Sequence, residues 1–90
     1  MRGADLRAAR LGKANLEGAY LEKARLEEAY LPGAKLAAAK LNGNNLSGAW
    51  LDEADLNLAS MSGANLSGAI LRYANLGNAD LSDANLAAST

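Results

Sequence analysis

Leucine recurs every five residues along the whole chain. It stands at 6, 11, 16, 21, 26, 31, 36, 41, 46, 51, 56, 66, 71, 76, 81 and 86, Met61 fills the one gap, and Met1 is in phase. Two residues before each of these centres stands alanine, from Ala4 to Ala84, with Asn44 the one internal exception and Ser89 in the corresponding place after Leu86. A repeat that covers the chain constrains the fold before any local propensity does. In an α-helix, at about 100° per residue, a five-residue step winds the leucines around the axis and forms no apolar stripe. The scattered glycines would weaken such a helix further. In an extended segment residues two apart share a face, so each Ala–Leu pair points the same way. Five is odd, and the alternation cannot run on into the next pair. The chain therefore turns once per unit and coils around an interior of alanine and leucine, leaving the other residues outside.

The glycines mark the corners. Seven of nine (Gly3, Gly18, Gly33, Gly43, Gly48, Gly63, Gly68) lie two residues after a centre, where a type II turn requires positive φ. Leu31-Pro32-Gly33-Ala34 has the preferred pair, with proline presetting the first turn position and glycine taking the second. Lys13, Lys23, Glu28, Glu53, Leu58 and Tyr73 hold the glycine place elsewhere. Positive φ is costly for these residues, so their corners are expected to use a different turn type.

Residues 41–60 and 61–80 agree at ten positions, four of them outside the Leu/Ala frame: Gly43/63, Asn45/65, Ser47/67 and Gly48/68. Asn45, Asn65 and Asn85 lie 20 apart, as do Tyr30, Trp50 and Ile70. Four units per coil, a square cross-section, follows from that spacing. The strings ADLRA, ANLEG, ADLNL, ANLSG, ANLGN and ANLAA resemble the A(D/N)LXX motif of the pentapeptide repeat family. The resemblance covers essentially all 90 residues. It implies an all-β fold, a right-handed quadrilateral parallel β-helix of about 4.5 coils of four five-residue units. At the inter-strand spacing of roughly 4.8 Å this makes a rod about 22 Å long. The expected organisation is a single domain, residues 1–90, with no separate capping helix.

Composition narrows the function. Histidine and cysteine are absent, which removes the commonest general base and metal ligand and any disulfide or thiolate site. Without either, serine has no Ser-His partner, so no catalytic residue, metal or cofactor site is assigned and the chain is not expected to be an enzyme. Asp52, Glu53 and Asp55 carry oxygen ligands, but consecutive corner side chains diverge, and they read as solvated surface. A net charge of -1 exerts no general pull on nucleic acid or anionic membrane. No run approaches 18 apolar residues and no signal-peptide core follows Met1, so a cytoplasmic chain is the default.

Two surface features stand out. Tyr30, Trp50 and Ile70 are expected to stack up one outer face, with Arg10 below and Thr90 above, as a patch for a protein partner, because aromatics and arginine dominate interface hot spots. Asn45, Asn65 and Asn85 are expected to stack as an amide ladder on another face. Charge is split: residues 1–40 hold eight basic and five acidic side chains (net +3), residues 41–90 one basic and five acidic (net -4).

The reading is a non-catalytic structural or protein-binding module. Homo-oligomerisation is expected through Leu6, Leu11 and Leu16 at one end and Leu76, Leu81 and Leu86 at the other, stacked end to end, with antiparallel pairing through Tyr30, Trp50 and Ile70 as the rival geometry. Family resemblance also implies a DNA-mimicking inhibitor or protector of DNA gyrase as an alternative. A mimic needs a long acidic surface, whereas half of this chain is basic. A designed or truncated scaffold that self-associates is a further alternative.

Overall fold

A computed structural model of the protein describes residues 4–90; Met1 and the corner glycine Gly3 lie outside the described residues. The backbone is a right-handed quadrilateral β-helix in which the residue just before a centre bridges its counterpart twenty residues later, in parallel. The bridges define four outward columns. The first face carries Asp5, Arg25, Asn45, Asn65 and Asn85, and the second Arg10, Tyr30, Trp50 and Ile70. The third carries Asn15, Lys35, Asp55 and Asn75, and the fourth Tyr20, Lys40, Ser60 and Asp80. The molecule measures 23 × 20 × 19 Å. Its long dimension matches the expected rod, but its width makes it a near-cubic block.

The backbone hydrogen bonds explain why five residues suffice. In the unit around Leu46, the Leu46 N–H donates to Asn65 O in the next coil (2.7 Å), and the Gly48 N–H to Ser67 O (2.9 Å). The Trp50 N–H donates back to Ala29 O (2.9 Å), and the Ala49 N–H closes the corner on Leu46 O (3.0 Å). One donor per unit is left over: the N–H of the residue just after the centre. All eight Asp and Asn residues that precede a centre accept that N–H with a side-chain oxygen, at 3.0–3.3 Å. The (D/N) of the motif is thus a local Asx cap. Tyr30 cannot cap in this way, and two residues later stands Pro32, which has no N–H to satisfy.

This corrects the expected amide ladder. Asn45, Asn65 and Asn85 share a column, but their oxygens turn to their own corners, onto the N–H groups of Ser47, Ser67 and Ala87. The side-chain amide bond between coils falls on the third face instead, from Asn75 Nδ2 to Asp55 Oδ1 (3.3 Å).

The corners also differ from expectation. The third residue of every described corner has positive φ, whether glycine or not. Lys13, Lys23, Glu28, Glu53, Leu58 and Tyr73 lie at 59–63° and use the same left-handed geometry as the glycines. The ladder imposes it: Lys13, Lys23, Glu28, Glu53 and Leu58 each donate this N–H to the next coil, at 2.8–3.2 Å, and another turn type would break that bond. Tyr73 is 89% exposed, so its side chain gives little packing in return. Tyr73→Gly is expected to stabilise by about 1 kcal/mol, the left-handed penalty of roughly 1–2 less the glycine entropy cost of roughly 0.5–1. A denaturation midpoint that fails to rise would show that the Tyr73 ring contributes contacts worth the strain.

The core is the Leu/Ala interior of residues 21–69, where every centre and every inward alanine is buried. Asn44 is buried among them, 1% exposed. Its Nδ2 donates to Leu21 O in the coil below, while its Oδ1 is buried without a partner. Beside it the ladder to the coil below is stretched: Asn45 N to Ala24 O is 3.5 Å, against 2.8 Å for both Arg25 N to Ala4 O and Asn65 N to Asn44 O on the same face. The amide wedges two coils apart and leaves a lone pair unsolvated, at a cost of about 1–3 kcal/mol. Asn44→Ala is therefore expected to stabilise by about 1 kcal/mol, and a loss of thermal stability would show instead that the Leu21 bond outweighs the orphaned oxygen.

Candidate functional site: a protein-interaction face

While Tyr20 is exposed on the fourth face, the second face stacks two of the exposed large hydrophobic residues, Tyr30 and Trp50, in one column. Its column rises from Arg10 through Tyr30 and Trp50 to Ile70, and Thr90 continues the pattern by donating to Ala69 O (3.0 Å) and accepting from Leu71 N (2.7 Å). The structure therefore brings the sequence-predicted patch together. Tyr30 and Trp50 are 47% and 45% exposed. Their ring centroids are 6.2 Å apart with planes tilted by 54°, wider than the coil spacing of about 4.8 Å, so the rings splay.

Small residues around the column leave the rings standing proud. Tyr30 Cε2 is 3.7 Å from the position a Cβ would take on Gly12, so the ring leans across that corner. Gly12 is not at a positive-φ position, and its lack of a side chain keeps this space open. A groove runs beside the rings, lined by Ala8, Arg10, Tyr30 and Trp50. Above the Glu28 corner the next two coils carry Gly48 and Gly68, and the Glu28 Cγ lies 3.3 Å from where a Cβ of Gly48 would sit.

The charges near this face are unequal in their pairing. Asp52 Oδ2 accepts from Arg72 Nη2 at 2.9 Å, and Glu27 Oε2 from Arg25 Nη2 at 3.3 Å. Asp5 is held by Arg7 at 2.7 Å, and the hydrogen bond from that guanidinium lowers its carboxyl to about 2. On the fourth face the Ser82 hydroxyl lowers the Asp80 carboxyl. Arg10 has no ion-pair partner among the described residues. The sequence does not show this, because Glu28 lies only one coil away, yet it forms no ion pair with Arg10 and its Cγ packs by the Cβ position of Gly48.

The remaining candidates do not form a site with these. Leu6, Leu11 and Leu16 lie partly buried at one end of the coil stack, and Leu76 and Leu81 at the other, where Leu86 is 42% exposed. Among the described residues no three Asp, Glu, His or Cys side chains gather as a metal site, and Asp52 is engaged by Arg72. Leu58, exposed, stands on the corner between the third and fourth faces, away from the aromatic column, whereas Tyr73, also exposed, stands on the corner that follows that column, three residues after Ile70. No helix is long and apolar enough to cross a membrane among the described residues.

The sequence profile of the family described as pentapeptide repeats matches residues 1–36, 19–57 and 59–88, with eight copies. No curated protein matches the chain. Among solved structures, the chain is similar to the pentapeptide repeat protein Rfr23 from the cyanobacterium Cyanothece 51142. The two are 36% identical with a TM-score of 0.98, over 100% of this chain and 62% of that one. It is also similar to a pentapeptide repeat protein of the Arabidopsis thaliana thylakoid lumen, at 30% identity and a TM-score of 0.78, over 98% of this chain and 61% of that one. The chain thus spans about three fifths of the length of both relatives. With the twenty-residue ladder, the capped (D/N) position and the Ala/Leu interior accounted for, these matches show that the chain belongs to the pentapeptide repeat family.

Proposed function

We propose that this chain is a non-catalytic binding module that presents its second face, Arg10, Tyr30, Trp50 and Ile70, to another protein. One observation carries the reading. Tyr20, Leu58, Tyr73 and Leu86 are exposed singly, whereas Tyr30 and Trp50 stand about half exposed as two stacked aromatic rings in one column, where a monomeric scaffold gains little by keeping them. Tyr, Trp and Arg are the residues that most often dominate protein interfaces. The non-catalytic part rests on the absence of His and Cys and on serines set at corners, such as Ser47, Ser67 and Ser82, whose N–H groups are bound by Asx oxygens.

The test compares proteins retained from a cell extract by the wild-type chain, by Trp50→Ala and by Asn65→Ala, each checked for an unchanged melting temperature. A retained set lost with Trp50→Ala and kept with Asn65→Ala is expected. Identical sets for all three would overturn the assignment of this face.

Self-association is a second reading, favoured by the charge split between a basic first half (net +3) and an acidic second half (net -4). Unlike halves of two copies attract, and a contact of this kind weakens as salt screens it. Light scattering at low and high salt is expected to show association that falls with ionic strength, and a monomer under both conditions would exclude it.

A further inference from the structure

We propose that the groove beside the rings accepts an extended proline-rich peptide in the polyproline II conformation, with a carboxylate paired to Arg10 and a proline against Trp50. This rests on the second face being the binding face, and it adds the class of partner.

The first observation is metric. Arg10, Tyr30 and Trp50 are successive rungs of one column, so Arg10 and Trp50 are two coils apart, about 9.6 Å at the usual inter-strand spacing. A polyproline II helix returns to the same side every three residues, about 9.3 Å. A peptide lying along the column therefore keeps residues i and i+3 over Arg10 and Trp50. A β-strand repeats its side every two residues, about 6.7 Å, and falls out of step with the rungs after one repeat.

The second observation is the shape of the groove. Tyr30 and Trp50 are splayed at 54° with centroids 6.2 Å apart, and the groove beside them is also lined by Ala8 and Arg10. Aromatic-lined grooves are the usual docking surface for proline-rich segments, because proline offers a flat ring and the peptide is ordered before it binds. Backbone pairing along the rings is not on offer, since the N–H and C=O groups of Tyr30, Trp50 and Ile70 already bond to adjacent coils.

The third observation is charge. Arg10 is exposed and without an ion-pair partner among the described residues, and Lys13 follows on the next corner, whereas two coils up that same corner carries Asp52, which Arg72 neutralises. The Glu28 side chain packs its Cγ 3.3 Å from the Cβ position of Gly48, on the corner beside Trp50, and adds a carboxylate there that disfavours a second. The acid of the peptide therefore sits at the Arg10 end, three residues from the proline on Trp50, where a guanidinium forks a carboxylate in two hydrogen bonds.

Trp50 is the one tryptophan in the chain, so its fluorescence reads the groove directly. The full chain is titrated with Pro-Pro-Pro-Glu-Pro-Pro-Pro, with the same peptide carrying lysine for glutamate, and with Gly-Ser-Gly-Glu-Gly-Ser-Gly. The acidic proline peptide is expected to give a saturable change, with the lysine peptide binding about tenfold more weakly and the glycine-serine peptide not at all. Arg10→Glu, which lies outside the core, is expected to reverse the preference between glutamate and lysine peptides without changing the melting temperature. Failure of the acidic proline peptide to saturate, an equal response to both charges, or binding of the glycine-serine peptide would each overturn the proposal. If no peptide binds while retention from extract still depends on Trp50, the partner class is wrong and the face assignment stands. If Trp50→Ala leaves retention unchanged, both fall.

Discussion

Leu46→Ala is expected to lower the unfolding free energy by about 2–5 kcal/mol, the range for a buried leucine truncated where its surroundings cannot collapse. Leu46 is 1% exposed at mid-stack. Its backbone is tied to the next coil through Asn65 O, and its carbonyl to its own corner through Ala49 N. With both ends of the residue fixed, the neighbouring leucines cannot move in to fill the space. Equilibrium denaturation in urea measures the loss. A variant that unfolds at the same midpoint as the parent would mean that the leucine ring of each coil is not what holds adjacent coils together. Leu86→Ala, at a centre 42% exposed, is expected to cost far less, because little of that side chain has left water.

Ala54→Leu tests the opposite fault and is expected to cost about 1–3 kcal/mol. Ala54 is fully buried, and its carbonyl accepts from Asn75 N at 2.9 Å while its N–H donates to Leu51 O at 3.0 Å. The alanine positions are where the chain turns inward beside a corner, and the square interior is already occupied by four leucines per coil. Three added carbons have to displace a leucine or open the ladder, and the bond to Asn75 is the first to lengthen. Hydrogen exchange at Asn75, compared with Asn65 on another face, distinguishes a local opening from a uniform loss. Unchanged stability would show that the interior holds unfilled space beside Ala54.

The interior was legible in the sequence because its signal is strict. A five-residue period fixes which residues point in, and a twenty-residue agreement fixes which stack. The outer columns followed from the same arithmetic, including the rise from Arg10 to Ile70. The corners were not legible, because glycine preference is a local quantity and corner geometry is set between coils. Leu58 takes positive φ against its own propensity since its N–H must reach Gly77 O at 2.8 Å. The role of Asp and Asn was misassigned for a related reason. Stacking suggests bonds along a column, whereas a count of backbone donors shows one N–H per unit with no ladder acceptor, and the nearest oxygen is in the same unit. Of the candidate face, the residues were readable and the pairing was not. Whether Arg10 is neutralised depends on the direction taken by Glu28, which only coordinates reveal.

The step of twenty in the bridges and the step of five in the core are independent, and this separates what keeps the fold from what keeps the surface. Removing residues 36–40 takes out one whole unit and leaves every leucine and alanine in frame, so the square interior re-forms. The outside does not. Everything after the cut moves back by a quarter turn: Trp50 then stands above Arg25, and Asp55 takes its place over Tyr30. Removing residues 31–50 instead deletes one full coil and returns each later residue to its former column, with Ile70 now directly above Tyr30. Lineages of this chain can therefore gain or lose coils while keeping a face, but a change of one unit reshuffles all four faces at once without disturbing the core.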